Sequence, residues 1–289
     1  MKNLSSYKKG IFLIILSGFG FAVMNVCVTL SGDLPVFQKA LFRNGGAMIL
    51  ALIIFLRSKE KFVSDKKSLS FLFLRATLGT VGILANFYAL DHLKVSDASM
   101  LNKLAPFFTL IFSALFLREK TTLKQYLFVI GAFLGTLFIV KPSGGLTEEA
   151  FAASMGIFGG LTAGAAYTIV RYLGKRKMPS CQIVFVFSLF STLAAIPFVI
   201  RDHQAMSLQQ VILLVIASMG ATTGQFCITL AYKAAPSKEI SIFDYFSVAF
   251  SAIFGFVFLG QVPDVLSFIG YMIIFLMAYL MFLYNRREK

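Results

Sequence analysis

Five ionisable side chains stand inside runs that are otherwise apolar: Lys39, Arg43, Arg75 and Lys103 in the first half of the chain and Asp244 in the second. A charge at the centre of a bilayer-spanning helix costs roughly 2.5–3.5 kcal/mol, so such residues mark binding sites, ion pathways or internal pairs. The chemistry they offer is recognition of charge. Lys39 and Arg43 are four residues apart, so on a helix they share one face and repel unless an anion or a carboxylate lies between them. Arg43 either binds a negatively charged group or pairs with an acid such as Asp97 or Asp244. Lys39 either joins it at a binding site or, as the sequence favours, snorkels to the outer interface. Arg75 lies near the basic end of its run and reads as an interfacial anchor. Lys103 stands beside Asn102 and just before Pro106, and both read as cavity-lining, because the backbone groups that a proline frees need partners. Asp244 binds a cation, carries a proton or neutralises Arg43 or Lys103. Tyr88, Tyr167 and Tyr245 lie within apolar runs and need partners for their hydroxyls, which makes them candidate substrate contacts. Asp97 and Glu239 follow Ser96 and Ser237 at the start of apolar runs. They read as helix-terminal anions, or as groups guarding opposite mouths of a pathway.

Covalent chemistry is poorly served by the same sequence. The only histidines, His92 and His203, fall outside the apolar runs, and there is no HExxH, GxSxG or GxxxxGK[ST] pattern. Cys27, Cys181 and Cys227 lie within apolar runs without metal-ligand or CxxC spacing and read as packing residues. An enzyme is not expected, nor a cofactor or a metal. Lacking an ATP site, any transport would be driven by an ion gradient or by exchange.

The elements that must carry these charges are transmembrane helices. About 20 apolar residues at ~1.5 Å rise cross a ~30 Å hydrocarbon layer. Runs bounded by charge or by Gly/Pro number ten: 10–30, 36–56, 69–90, 95–117, 124–140, 152–173, 180–200, 208–231, 237–259 and 265–284. The whole chain is 58% hydrophobic and 14% charged, with a mean hydropathy of +0.81, whereas a soluble domain carries about 25% charged residues. The net charge of +14 does not point to nucleic acid, because it sits in short gaps between apolar runs and not on one face of a soluble fold. Most Lys and Arg occupy alternate gaps: the N-terminus, 57–67, 118–124, 171–177, 233–238 and the tail. By the positive-inside rule both termini are cytoplasmic, which requires an even number of spans. The first run is long enough to span and lacks a small-residue cleavage pattern, so it reads as a retained helix.

A shift of 142 residues lays Gly18 on Gly160, Gly82 on Gly224, Ala89 on Ala231, Asn102 on Asp244 and Phe116-Leu117 on Phe258-Leu259. With a two-residue gap, Pro35-Val-Phe-Gln38 meets Pro179-Ser-Cys-Gln182. Two halves of five spans each, 1–145 and 146–289, would insert oppositely, which suits alternating access around a central site. The fold class expected is therefore all-α transmembrane, ten helices as two inverted five-helix repeats.

The chain resembles the EamA-type members of the drug/metabolite transporter superfamily. The resemblance is carried by FRNGGAMILALI from Phe42, RATLGTVGILANFYAL from Arg75 and KVSDASMLNKLAPFFTLIFSALFLREK from Lys94. It departs from that family at Gly260-Gln261, where a glutamate is often kept, and at Lys103, where many members are neutral. The resemblance implies an inner-membrane, multi-pass secondary transporter. Its cavity would lie between the halves, lined by spans 1–4 and 6–9, with spans 5 and 10 peripheral. The partners then expected are a small-molecule metabolite, the lipid bilayer, a coupling ion or proton, and a second copy in a homodimer. Four intramembrane basic residues against one deep acid favour an anionic or zwitterionic cargo over a simple cation. The alternative is a channel-like or structural membrane protein whose intramembrane charges only pair helices.

Overall fold

A computed structural model describes residues 2–58, 62–63, 65–117, 122–140, 147–234 and 241–287, and among them all regular structure is helical. The elements are α1 (Lys2–Leu30), α2 (Val36–Arg57), α3 (Lys66–His92), α4 (Val95–Asn102), α5 (Ala105–Leu117) and α6 (Leu123–Val140), followed by α7 (Glu148–Lys175), α8 (Ser180–Arg201) and α9 (Leu208–Ala234). A 3₁₀ turn (Ser241–Tyr245), α10 (Phe246–Leu259) and α11 (Val265–Arg287) complete the chain. Eight segments are long and apolar enough to cross a membrane, with α4 and α5 together forming one of them; α6 and the 3₁₀ turn plus α10 are shorter apolar crossings. At 1.5 Å per residue the 18 residues of α6 reach about 27 Å, close to the hydrocarbon thickness. Exposure is inverted relative to a soluble protein. Leu115, Phe116 and Ile200 are exposed while Lys39, Arg43, Arg75, Lys103 and Asp244 are buried.

The fourth crossing breaks from α-helical geometry at mid-depth, and the described part of the ninth does so at its 3₁₀ turn. In the fourth, Pro106 has no N–H to return to Asn102, so the chain leaves the α-helix at Lys103 and Leu104 and restarts at Ala105. The carbonyl freed at Lys103 accepts the Tyr245 hydroxyl at 3.0 Å. In the ninth, the 3₁₀ turn ends at Tyr245, the residue 142 positions after Lys103, and the Ser247 hydroxyl donates to the Asp244 carbonyl at 2.7 Å. Each break meets a glycine of the other half. A Cβ on Gly160 would lie 3.0 Å from the Asn102 carbonyl, and one on Gly18 3.1 Å from the Ser247 amide. These are the two glycines that the 142-residue shift superimposes.

Packing follows the same correspondence. α1 on α9 is matched by α7 on α3, α1 on α10 by α7 on α4 and α5, and α2 on α9 by α8 on α3, while α2–α8, α4–α10 and α6–α11 are pairs of equivalents. At the starts of α2 and α8, after Pro35 and Pro179, two buried glutamines do equivalent work. Gln38 exchanges both amide hydrogen bonds with the backbone of Gln204, and Gln182 does so with the backbone of Val63. Each thus satisfies loop backbone of the opposite half that would otherwise be unpaired. The α6–α11 pair, closed by Gly135 against Ile273 and Ile274, stands apart from the centre.

Candidate functional site

Between crossings 1–4 and 6–9 lies a cavity of about 100 Å³, to which α6 and α11 contribute no lining residue. By this measure one water needs roughly 10–15 Å³, so the space takes a small polar molecule or several waters. The broken fourth crossing brings Asn102 and Lys103 to it, α2 brings Arg43, α7 brings Tyr167, and α8 and α1 bring the rings of Phe187 and Phe21. α3 supplies a stripe: Arg75, Gly79, Gly82 and Asn86 recur at the spacing of one helix face and all line the cavity.

The charges divide into paired and unpaired. Lys103 Nζ donates to Asp244 Oδ2 at 2.8 Å, joining the two helix breaks across the halves, with both groups buried. Asp244 Oδ1 has no protein donor. Arg43 and Arg75 are 4% and 2% exposed and neither makes an ion pair among the described residues. Arg43 Nη1 donates to the side-chain carbonyl of its neighbour Asn44, while Nε of Arg43 and both Nε and Nη1 of Arg75 have no acceptor. The two guanidinium groups share the Phe187 ring, with Cζ of Arg75 3.6 Å and Cζ of Arg43 5.5 Å from its centroid. A cation over a desolvated ring gains about 2 kcal/mol, less than the several kcal/mol lost by burying an unpaired ion. Burial thus leaves both guanidinium groups with charge and donors that the described residues do not satisfy.

Gly79 makes this geometry feasible. A Cβ there would sit 2.6 Å from the Phe187 ring edge and 3.0 Å from Arg75 Nη1. Gly79→Ala is expected to displace the ring and the guanidinium together and to lower transport about tenfold or more. A helix gains up to about 1 kcal/mol from Gly→Ala, which limits the accompanying loss of stability. Initial uptake rate and the melting temperature, measured on the same preparation, check this.

Several sequence expectations change place. Arg75 is no interfacial anchor: α3 packs on α7 and α8, which turns its side chain inward to Phe187. Lys39 does not snorkel. It is fully buried and bonds Asp91 at 2.5 Å near the C-terminal end of α3, away from the cavity lining. Tyr88 is not brought to the cavity but stacks on His92 at 4.2 Å and meets Phe151 edge-on. Tyr245 lies behind the site, bonded to the Lys103 carbonyl, and Asp244 reaches the site only through Lys103. Asp97 lies in the first turn of α4, whose N-cap is Lys94, and accepts the Tyr271 hydroxyl. Glu239 falls outside the described residues. Gln261, the departure from the family pattern, accepts the Val95 amide at 2.9 Å and so satisfies the start of α4. Sequence reading passed over Phe187, Asn25 and Asn86. The single-face spacing of Arg75, Gly79, Gly82 and Asn86 was the signal available for α3. Among the described residues no group of three His, Cys, Asp or Glu could hold a metal ion.

Comparison with known proteins gives a consistent picture. The pattern of the EamA-like transporter family matches twice, over residues 8–141 and 150–283, starts that differ by the same 142 residues found within the sequence. The pseudopaline exporter CntI of Pseudomonas aeruginosa is 31% identical over 266 residues, covering 91% of this chain and 92% of that protein. A riboflavin transporter of Vibrio cholerae is 25% identical over 93% of this chain and 91% of its own. One solved crystal structure superimposes with a TM-score of 0.70 at 16% identity over 99% of both chains, which is a likeness of fold.

Proposed function

From the premise that the chain belongs to the EamA-like transporter family, and is a membrane transporter and not an enzyme, we propose that it carries a small polar anionic or zwitterionic metabolite by secondary-active alternating access. The observation that carries the reading is the pair of buried, unpaired guanidinium groups of Arg43 and Arg75 in the central cavity. Halves 1–145 and 146–289 are inserted oppositely, and the matched packing of equivalent crossings supports this. The basic gaps face the cytoplasm, so both termini lie on that side of the inner membrane. Lys103 and Asn102 complete the polar wall, Tyr167 adds a hydroxyl, and the Lys103–Asp244 pair ties the halves together at the breaks. Lys39 serves the fold through Asp91. The relatives are named for pseudopaline and for riboflavin, both small metabolites in keeping with a metabolite cargo here.

The test is counterflow in liposomes holding the purified protein. Saturable uptake of labelled organic anions, accelerated by the same anion inside, is expected. Arg43→Gln/Arg75→Gln should reduce it about 100-fold or more, since each charge-assisted hydrogen bond contributes about 1.5–3 kcal/mol. The same double variant should melt at an unchanged or higher temperature, because it removes two buried charges without orphaning a counter-charge, and the glutamine amide at position 43 still offers a donor to Asn44. Non-saturating flux, without acceleration from the far side, would instead favour the channel-like alternative.

A further inference from the structure

The charge balance of the cavity wall fixes more than the sign of its cargo. Lys103 is cancelled by Asp244 at 2.8 Å, and Lys39 by Asp91 outside the cavity. Asp97 is not among the lining residues and accepts the Tyr271 hydroxyl. Among the described residues that line the cavity, two positive charges are left over, on Arg43 and Arg75, and a guanidinium does not lose its proton in a protein. Both lean on one ring, so their separation cannot exceed the sum of the two distances, 3.6 and 5.5 Å, to its centroid. Within that span three guanidinium nitrogens lack a protein acceptor. A monoanion bound there leaves one buried guanidinium without a counter-charge, which is the costly state of a broken buried pair.

Resting on the anion-transporter reading above, we infer that the cargo is a small dianion whose two negative charges are met together by Arg43 and Arg75. The number of unpaired arginines sets the valence of the preferred substrate. Guanidinium forks match the planar oxygens of a carboxylate and the oxygens of a phosphate, so a dicarboxylate and a phosphate share the chemistry required. Between or beside the anionic groups, Asn86 and Asn102 line the cavity, as does Asn25, whose Oδ1 has no protein donor. These amides present neutral donors and acceptors to the uncharged part of the molecule.

An isosteric series isolates charge from shape: succinate, its monoamide succinamate and its diamide succinamide, with inorganic phosphate as the fourth probe. Binding to the purified full-length protein is read from melting-temperature shifts over a concentration series at neutral pH, and transport from competition against a labelled anion in liposomes. Succinate or phosphate is expected to bind at least about tenfold more tightly than succinamate, the size of one lost charge-assisted bond, and succinamide not at all. Stabilisation by phosphate without succinate assigns both charges to one group, and the reverse assigns them to two; either supports the inference. Arg43→Gln and Arg75→Gln, each alone, are expected to remove the preference or reverse it toward succinamate. Equal binding of succinate and succinamate to the unaltered protein overturns the valence inference but leaves the anion reading standing. If none of the anions binds while an uncharged or cationic metabolite does, both fall. The wild-type ranking decides the matter even where a variant cannot be purified.

Discussion

Asp244→Ala is expected to cost about 3–5 kcal/mol of stability, because it leaves the buried Lys103 ammonium without its counter-charge. Asp244 is 2% exposed and lies on the 3₁₀ turn. The loss should be recovered in large part by the double variant Lys103→Met/Asp244→Leu, since an apolar pair of similar volume is often neutral or better than a buried ion pair. Denaturant or thermal unfolding of the detergent-purified protein measures both. Recovery of stability in the double variant without recovery of transport would separate the two roles of the pair, tying the helix breaks together and walling the cavity. A single variant as stable as the parent would mean that Lys103 finds another partner, and the charge balance drawn for the cavity would have to be redrawn.

The second large effect concerns the α1–α9 contact. A Cβ on Gly20 would meet the Gly220 carbonyl at 2.6 Å, and a Cβ on Gly220 would meet the Gly20 carbonyl at the same distance. The obstructing atoms are backbone, so neither side chain nor rotamer can give way and the helices must separate. Gly20→Val or Gly220→Val is expected to destabilise by about 3 kcal/mol, the upper part of the usual overpacking range. Helix propensity returns no more than about 1 kcal/mol of this. Gly45→Ala is the matched control. Nothing lies within 4 Å of its added Cβ, so it is expected to be neutral or to stabilise by about 0.5–1 kcal/mol. Melting temperatures of the three variants, compared on one day's preparation of membranes, decide between close packing and a general intolerance of glycine replacement.

Much of this architecture was legible before any coordinates. Hydropathy sums along the chain, and a span declares itself without reference to its neighbours, so the ten crossings could be read segment by segment, Pro106 with the backbone groups it frees among them, and the superposition of Gly18 on Gly160 from the order of residues alone; the fourth run reads as one unbroken helix. The site was legible only in part. Lys103 and Asn102 were found because a proline beside a charge is conspicuous within one segment. Arg75 was misplaced because its position near a helix end allowed snorkelling, and nothing local says which way that face of α3 turns. Tyr88 and Tyr167 both lie within apolar runs, yet only Tyr167 meets the cavity.

What the sequence determined by itself is the number and order of the crossings, the proline inside the fourth, and the presence of more intramembrane cations than acids. The tertiary structure alone decided which cations find a counter-charge and which do not. Lys39 finds Asp91 52 residues away and Lys103 finds Asp244 141 residues away, whereas Arg43 and Arg75 find no carboxylate among the described residues and share the face of Phe187. The physical reason is that burial in hydrocarbon is a property of a segment, whereas neutralisation falls off within a few ångströms and depends on which helices touch.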